Sequence, residues 1–418
     1  MSTARKAPLP YFDTLAALLE SNQAAIPPSI ASLTPDFQRD YQLARAFLLS
    51  YQDSLDTFNA YRREIERFLQ WSQWIACCPL KNIRREEFAA YLDFCQKPPL
   101  SWIGMKNEPR FVTQNNSRIP NKKWRPFVAT LSKTDRKAGL TTNKKTYQLS
   151  RAGFKVIFAV IGSFYQFLIQ ENYTLINPVS LIRQKSRYLK TQKAEPRIRR
   201  LSELQWGYVL ETAELAANKT PKQHERTLFI LNALYGMYLR ISELAATERW
   251  TPTMGDFERD PEGHWWFHTV SKGNKSRKIA VSDALLKALK RYRKSRQLPI
   301  LPVMGEETPL IPQLKSNEPV KSIRYLRFLV QEMFDAAAMR LQQDNQAEEA
   351  AQLAAATVHW LRHTGISDDV KVRPREHVRD DAGHSSSAIT DKYIDIELRE
   401  RHASGRKKRI KPNCMLDD

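Results

Sequence analysis

Apolar positions recur at helical spacing through most of this chain. Between 54 and 95, Tyr61, Ile65, Phe68, Leu69 and Trp71 fall near i, i+4 and i+7, and Phe88, Tyr91, Leu92 and Cys95 resume the rhythm after a break at Pro79. From 146 to 171, Phe154, Phe158, Ile161, Phe164, Tyr165 and Leu168 draw an apolar stripe of the kind that faces a core. Together these stretches predict a compact all-helical domain. Further on, 202–216 reads as a helix opened by a Ser-x-x-Gln capping box, and 227–246 as a buried apolar helix with Arg240 inside it. Helices are also predicted over 284–296, 323–340 and 348–356. One stretch changes period. Residues 264–270 are aromatic and β-branched, Lys272-Gly273-Asn274-Lys275 supplies a turn, and 277–281 alternates, which predicts a β-hairpin. The fold class is therefore mainly α with a small antiparallel β-hairpin sheet. Residues 1–45 are mixed and broken by Pro27-Pro28, compatible with a small arm-like module and with a loosely packed lead-in.

Length and composition narrow the class. The chain has 418 residues, room for two or three domains, and an apolar fraction of 42%. No apolar run is read as approaching the roughly 18–20 residues of a membrane span. The N-terminus lacks the apolar core of a secretory signal, so a cytoplasmic location is expected. Cys77, Cys78, Cys95 and Cys414 form neither a CxxC pattern nor a metal-ligand set, so reduced thiols, no metal and no cofactor are expected.

Charge changes the picture more. A net charge of +21 favours polyanionic partners. The segment 97–145 carries twelve Lys and Arg against Glu108 and Asp135, interleaved with Trp102, Phe111, Trp124 and Phe127. Such a mixture suits tracking of a nucleic-acid groove and stacking on bases, and it also suits a solvated face. Residues 183–200 are similarly basic, with Pro196 and little apolar content, and read as an interdomain linker. That linker fits a path along a phosphate backbone as well as a flexible tether. Candidate DNA contacts are Arg183, Lys185, Arg187 and Lys190 in the linker, and Lys122, Lys123 and Arg125 in the insert.

The candidate chemistry lies in the second half. Arg240 stands in Leu-Arg-Ile-Ser-Glu-Leu, His359 and Arg362 in His-Trp-Leu-Arg-His-Thr, and Gly383-His384 is followed nine residues later by Tyr393. A guanidinium is always charged and its fork matches two phosphate oxygens, so two arginines suit a phosphodiester. A phenol is a feeble nucleophile at neutral pH, and neighbouring positive charge favours its phenolate. Lys272, on the hairpin turn with Lys275 and Lys278 close by, has the reach to protonate a leaving oxygen. His359 and His384 can donate to phosphate or move the tyrosine proton. Adjacent His363 is expected to point away as a structural residue, as are His264, His268 and His377. A phosphotyrosyl bond conserves the energy of the phosphodiester, so neither metal nor ATP is required.

These residues resemble the tyrosine recombinases, the phage-integrase family of site-specific DNA recombinases, over roughly 201–400. The resemblance implies catalytic roles for Arg240, Lys272, His359, Arg362, His384 and Tyr393, with Glu243 bracing Arg240. It implies a helical SAM-like core-binding domain at 46–182 that carries the insert 97–145, the linker 183–200, a catalytic domain at 201–400 and a basic tail at 401–418. It also implies a C-shaped clamp on double-stranded DNA and a homotetramer on paired sites, with directionality or host accessory factors as further partners. Integration or excision of a mobile element is the activity implied. A catalytically silent DNA-binding protein of the same fold and a type IB topoisomerase-like relaxase are the alternatives. The chain departs from the family pattern at Ser367-Asp368-Asp369, Arg373-Pro374-Arg375 and Asp380-Asp381, where apolar residues are usual.

Overall fold

A computed structural model describes residues 7–20, 28–131, 133–137, 139–183, 186–189, 199–248, 250–271, 275–393 and 405–406. It divides into two compact units, Met1–Ala194 and Glu195–Asp418. Each has its own hydrophobic core.

The first unit packs the helices Pro35–Leu49, Leu55–Trp71, Arg85–Gln96 and Arg151–Gln170 around an aromatic core. Phe68 meets Tyr91 at 4.8 Å and Phe88 meets Phe158 at 5.8 Å, both edge to face, the geometry that ring quadrupoles favour. The break expected near Pro79 is present: a π-turn at Ser72–Ala76 ends on Cys77, whose φ is +48°. Tyr11 and Phe12 are buried in the same core, and their amides donate to Glu66 Oε1 at 2.6 and 3.0 Å. Helix Arg151–Gln170 opens on Ser150, whose hydroxyl accepts from the Gly153 amide at 3.1 Å. By length and composition this helix is apolar enough to cross a membrane, which corrects the reading that no run approaches that length. Its buried residues, Phe154 through Leu168, line the unit's core.

The basic insert contains strands that periodicity did not reveal. Ile103–Gly104 pairs in parallel with Phe127–Val128, and Phe111–Gln114 forms a hairpin with Ser117–Pro120. Asn115 and Asn116 turn that hairpin at φ +49° and +58°, the left-handed pair that a tight two-residue turn needs. The expectation of base-stacking aromatics fails for Trp102, Trp124 and Phe127, all buried. Trp102 packs edge-on against Phe94 at 5.1 Å, and Phe127 lies under the Arg67 guanidinium at 4.5 Å. Burial of these large rings is worth more to the unit than their exposure to a ligand.

In the second unit the helices Glu203–Lys219, Pro221–Gly236, Asp283–Ser295 and Ile323–Gln343 enclose the main core, with Ala347–Ala355 and His359–Asp369 against it. The capping box is in place: Gln205 N donates to Ser202 Oγ at 3.1 Å and Ser202 N to Gln205 Oε1 at 3.0 Å. The hairpin Trp265–Ser271 with Lys275–Ala280 gains a third antiparallel strand, Phe257–Arg259. Among the described residues, Phe267 and Ile279 face one another on its buried side. The helix expected over 227–246 stops at Gly236 instead. Tyr238 adopts φ +50°, and Arg240 caps a 3-10 turn at Ile241–Leu244. Arg240 therefore sits in extended backbone at the head of a 3-10 turn and not within the preceding helix.

Candidate active site

Arg240, His359, Arg362, His384 and Tyr393 line one cleft of about 720 Å³. Five elements supply it. Arg240 comes from the 3-10 turn, and His359 and Arg362 from one face of the His359–Asp369 helix. His384 follows the left-handed Gly383 that ends Arg375–Ala382, and Tyr393 lies on the turn Asp391–Tyr393. The hairpin strands contribute Ser271, Lys275 and Arg277. Lys272, the expected proton donor, lies outside the described residues.

Both arginines are held from behind. Arg240 donates from Nη1 to Glu243 Oε1 at 3.0 Å and from its backbone amide to Oε2 at 2.9 Å. Glu243 is 3% exposed and also receives two hydrogen bonds from Arg277, at 3.0 and 2.8 Å, and one from Ser271 Oγ at 3.1 Å. Burial opposes its ionisation, but the Arg277 hydrogen bonds and charge, with Arg240, outweigh that and hold its pKa below the usual value. Arg362, also 3% exposed, donates to the backbone carbonyls of Tyr238 and Ala382, the latter at 2.6 Å. Burial and the nearby Arg240 and Arg277 charges lower its pKa to about 10. The cleft is thus a desolvated, cationic pocket, suited to an anion.

Tyr393 is buried, and burial raises its phenol above the ordinary range despite the opposing charges of Arg362 and Arg240. The arginine charges favour the phenolate as expected, but burial outweighs them. The Tyr393 ring stacks with His384 at 5.7 Å, and His384 Nδ1 lies 2.9 Å from Thr390 Oγ1. His363 does not point away. Its ring packs on Tyr393 at 5.2 Å and edge-on to His359 at 4.3 Å, because the phenol closes over that helix face. Desolvation, reinforced by neighbouring positive groups, lowers His359, His363 and His384, the last two to about 4.

Arg277 was missed by sequence reasoning, although a signal existed. It alternates with Ile279 on the hairpin strand, opposite Thr269, which is 1% exposed, so its register points inward. The other histidines sit elsewhere. His268 Nε2 lies 2.7 Å from Glu258, and His264 lies beside Asp260 and Glu262 at an exposed turn. That trio brings three possible ligand atoms within 4.8 Å of one another. Asp260 already accepts from the His264 amide and Trp266 Nε1, both at 2.8 Å, so its carboxylate serves the turn.

Of the candidate DNA contacts, Lys122 and Lys123 are exposed and Arg125 half-buried. Arg125 Nη1 donates to the Lys122 and Trp124 carbonyls, at 2.7 and 2.6 Å, and borders a groove with Arg62, Arg63 and Arg110. Arg187 is exposed but paired with Asp93 at 2.6 Å. Lys185 and Lys190, and the side chain of Arg183, lie outside the described residues.

No family model matches the chain. A curated relative, the tyrosine recombinase XerC of Chlorobaculum parvum, is 26% identical over 145 residues. The match spans 33% of this chain and 41% of that protein's length. Among solved structures, the XerH site-specific recombinase bound to palindromic difH substrate, a post-cleavage complex, matches with a TM-score of 0.54 and 15% identity. The alignment covers 96% of this chain and 99% of XerH. The Tn1549 transposon integrase in complex with transposon right end DNA matches at 0.51 and 15%, covering 87% and 98%.

Proposed function

We propose that this chain, whose fold is similar to that of solved tyrosine recombinases and whose sequence resembles one over 145 residues, cuts and rejoins duplex DNA through a 3′-phosphotyrosine formed on Tyr393. The carrying observation is that two braced arginines, His359, His384 and the buried phenol line the same cleft.

In this reading Arg240 and Arg362 hold the non-bridging oxygens of the scissile phosphate. Their forks are fixed beforehand by Glu243 and by two backbone carbonyls, so little reorganisation accompanies the reaction. The Tyr393 oxygen attacks phosphorus, a Tyr–O–P bond forms, and the bond to the 5′-oxygen breaks. His384 is neutral, its pKa lowered to about 4 by burial and the arginine charges, so it becomes an effective acceptor of the phenol's proton only once the bound phosphate offsets those charges. Lys272 supplies a proton to the departing 5′-oxygen. Attack of a 5′-hydroxyl on the phosphotyrosine reverses each step, without ATP. The exposed lysines of the insert and the basic linker would grip the phosphate backbone, and paired sites would call for four copies. Such a chain would integrate or excise a mobile element, working in the cytoplasm where its DNA lies.

The test uses the full chain on supercoiled plasmid, and on a nicked duplex carrying candidate junction sequences from either side of its own gene. A covalent adduct with recombinant products is expected, and Tyr393→Phe should abolish the adduct while leaving DNA affinity essentially unchanged. Relaxation without recombinants would make the protein a topoisomerase-like relaxase. Binding without adduct would make it a silent DNA-binding protein, and an adduct retained by Tyr393→Phe would move the nucleophile elsewhere.

A further inference from the structure

Behind the cleft lies a second layer of charge with no part in the reaction as derived. Arg373 donates from Nη1 to the Tyr238 hydroxyl at 2.8 Å and to Asp369 Oδ2 at 3.2 Å. From Nη2 it donates to Asp381 Oδ2 at 2.6 Å. The Tyr238 hydroxyl itself donates to Asp369, and Asp381 Oδ1 accepts from the Ala280 amide at 3.3 Å. Tyr238 and Asp381 are buried.

The significance lies in what Arg362 holds. Its guanidinium donates to two carbonyls, those of Tyr238 and Ala382, on chain segments far apart in sequence. Arg373 bridges the same two segments: it holds Tyr238 by the hydroxyl, and Ala382 through its neighbour Asp381. Tyr238 is also left-handed at φ +50°, a conformation that costs a tyrosine free energy and persists only where surroundings enforce it. Its carbonyl is turned toward Arg362 by that conformation. A guanidinium suits the bridge because its fork spans two acceptors at once, whereas an ammonium presents a single point.

We infer that Tyr238, Asp369, Arg373 and Asp381 form a positioning frame that fixes the spacing of the two carbonyls and thereby aims the Arg362 fork at the phosphate. The inference rests on the strand-transfer reading for the use of Arg362, but the frame itself is geometric. None of the four side chains lines the cleft. Asp369, Arg373 and Asp381 lie in the stretches where the sequence departs from the pattern that the resemblance implies. The acids and Arg373 compensate one another, Asp381 buried and Arg373 and Asp369 half-buried.

Two mild variants test it in the full chain: Tyr238→Phe, which removes one hydroxyl, and Arg373→Lys, which keeps the charge and loses the fork. The first readout needs no DNA. In crystals of Arg373→Lys, Arg362 is expected to release at least one of its two carbonyls; an Arg362 still holding both overturns the frame. The second readout is single-turnover adduct formation on the duplex that the parent cleaves. Each variant should slow it by about 10- to 100-fold, by analogy with the loss of an outer partner that orients a metal ligand, with DNA affinity much less affected. In an Arg362→Lys background Tyr238→Phe should add little further loss, because both act through one guanidinium. Fully additive losses, or lowered thermal stability with unaltered cleavage, would reduce the network to fold stabilisation. A parent that forms no adduct sinks the strand-transfer reading and leaves the crystallographic readout to decide the frame.

Discussion

His363 and His384 both pack their rings on Tyr393, and both have pKa values near 4 through desolvation and the surrounding positive groups. An unfolded chain returns each to the ordinary histidine value of 6.5. Between those values the unfolded state binds protons that the folded state refuses, so stability rises with pH across the window and falls as pH drops from about 6.5 toward about 4. The urea midpoint of the parent should fall between pH 7 and 5, and His363→Gln with His384→Gln should flatten that fall. A midpoint equally pH-dependent in the double variant would assign the effect to other groups. The contrast between these histidines is instructive. His384 was legible from its place before Tyr393. His363 was not, because residue order says which side of a helix it occupies but not that a phenol from another segment closes over it.

At the scale of elements, helix His359–Asp369 approaches the end of Pro221–Gly236 so closely that Gly365 has no substitute. A Cβ there would lie 2.2 Å from the Tyr235 carbonyl oxygen and 3.2 Å from the Tyr238 ring. Backbone cannot yield as a flexible side chain does, so Gly365→Ala should destabilise by about 3 kcal/mol, the upper end of ordinary overpacking. Denaturant unfolding measures it, and a loss below about 1 kcal/mol would show that the two helices separate readily. Helix existence was readable from apolar period, as for Arg151–Gln170 and Glu203–Lys219. The early stop at Gly236 was not, since the residues that follow are apolar and helix-compatible. There Tyr238 takes a left-handed conformation, with its hydroxyl on the Asp369 carboxylate and its carbonyl on the Arg362 guanidinium. The strands of the insert escaped notice for a related reason: strands of two and four residues leave too short a pattern to read.

Over the whole molecule, the charge of +21 is what remains after every acid is counted, so internal ion pairs leave it intact. Arg67, Arg110, Arg118 and Arg187 pair with acids of their own unit, while Lys122 and Lys123 stand exposed in the insert. Binding to duplex DNA should therefore depend steeply on salt. Replacing Lys122 and Lys123 with alanine should lower the slope of log K against log salt by about 0.9 for each phosphate that goes unneutralised as a result. A slope that does not move would mark them as solvating charge.

Residue order alone pointed to the candidate groups for the chemistry and determined which stretches are helical, because side-chain type and local period are properties of neighbours along the chain. It also flagged the charged departures at Asp369, Arg373 and Asp381 without a reason for them. Only the tertiary structure decided that these charges neutralise one another behind Arg362, that Arg277 shares Glu243 with Arg240, and that the insert's tryptophans are core. The contacts of Arg277 with Glu243 and of Tyr238 with Asp369 join residues 34 and 131 positions apart. Their energies depend on distance and on the water excluded between them, which packing sets.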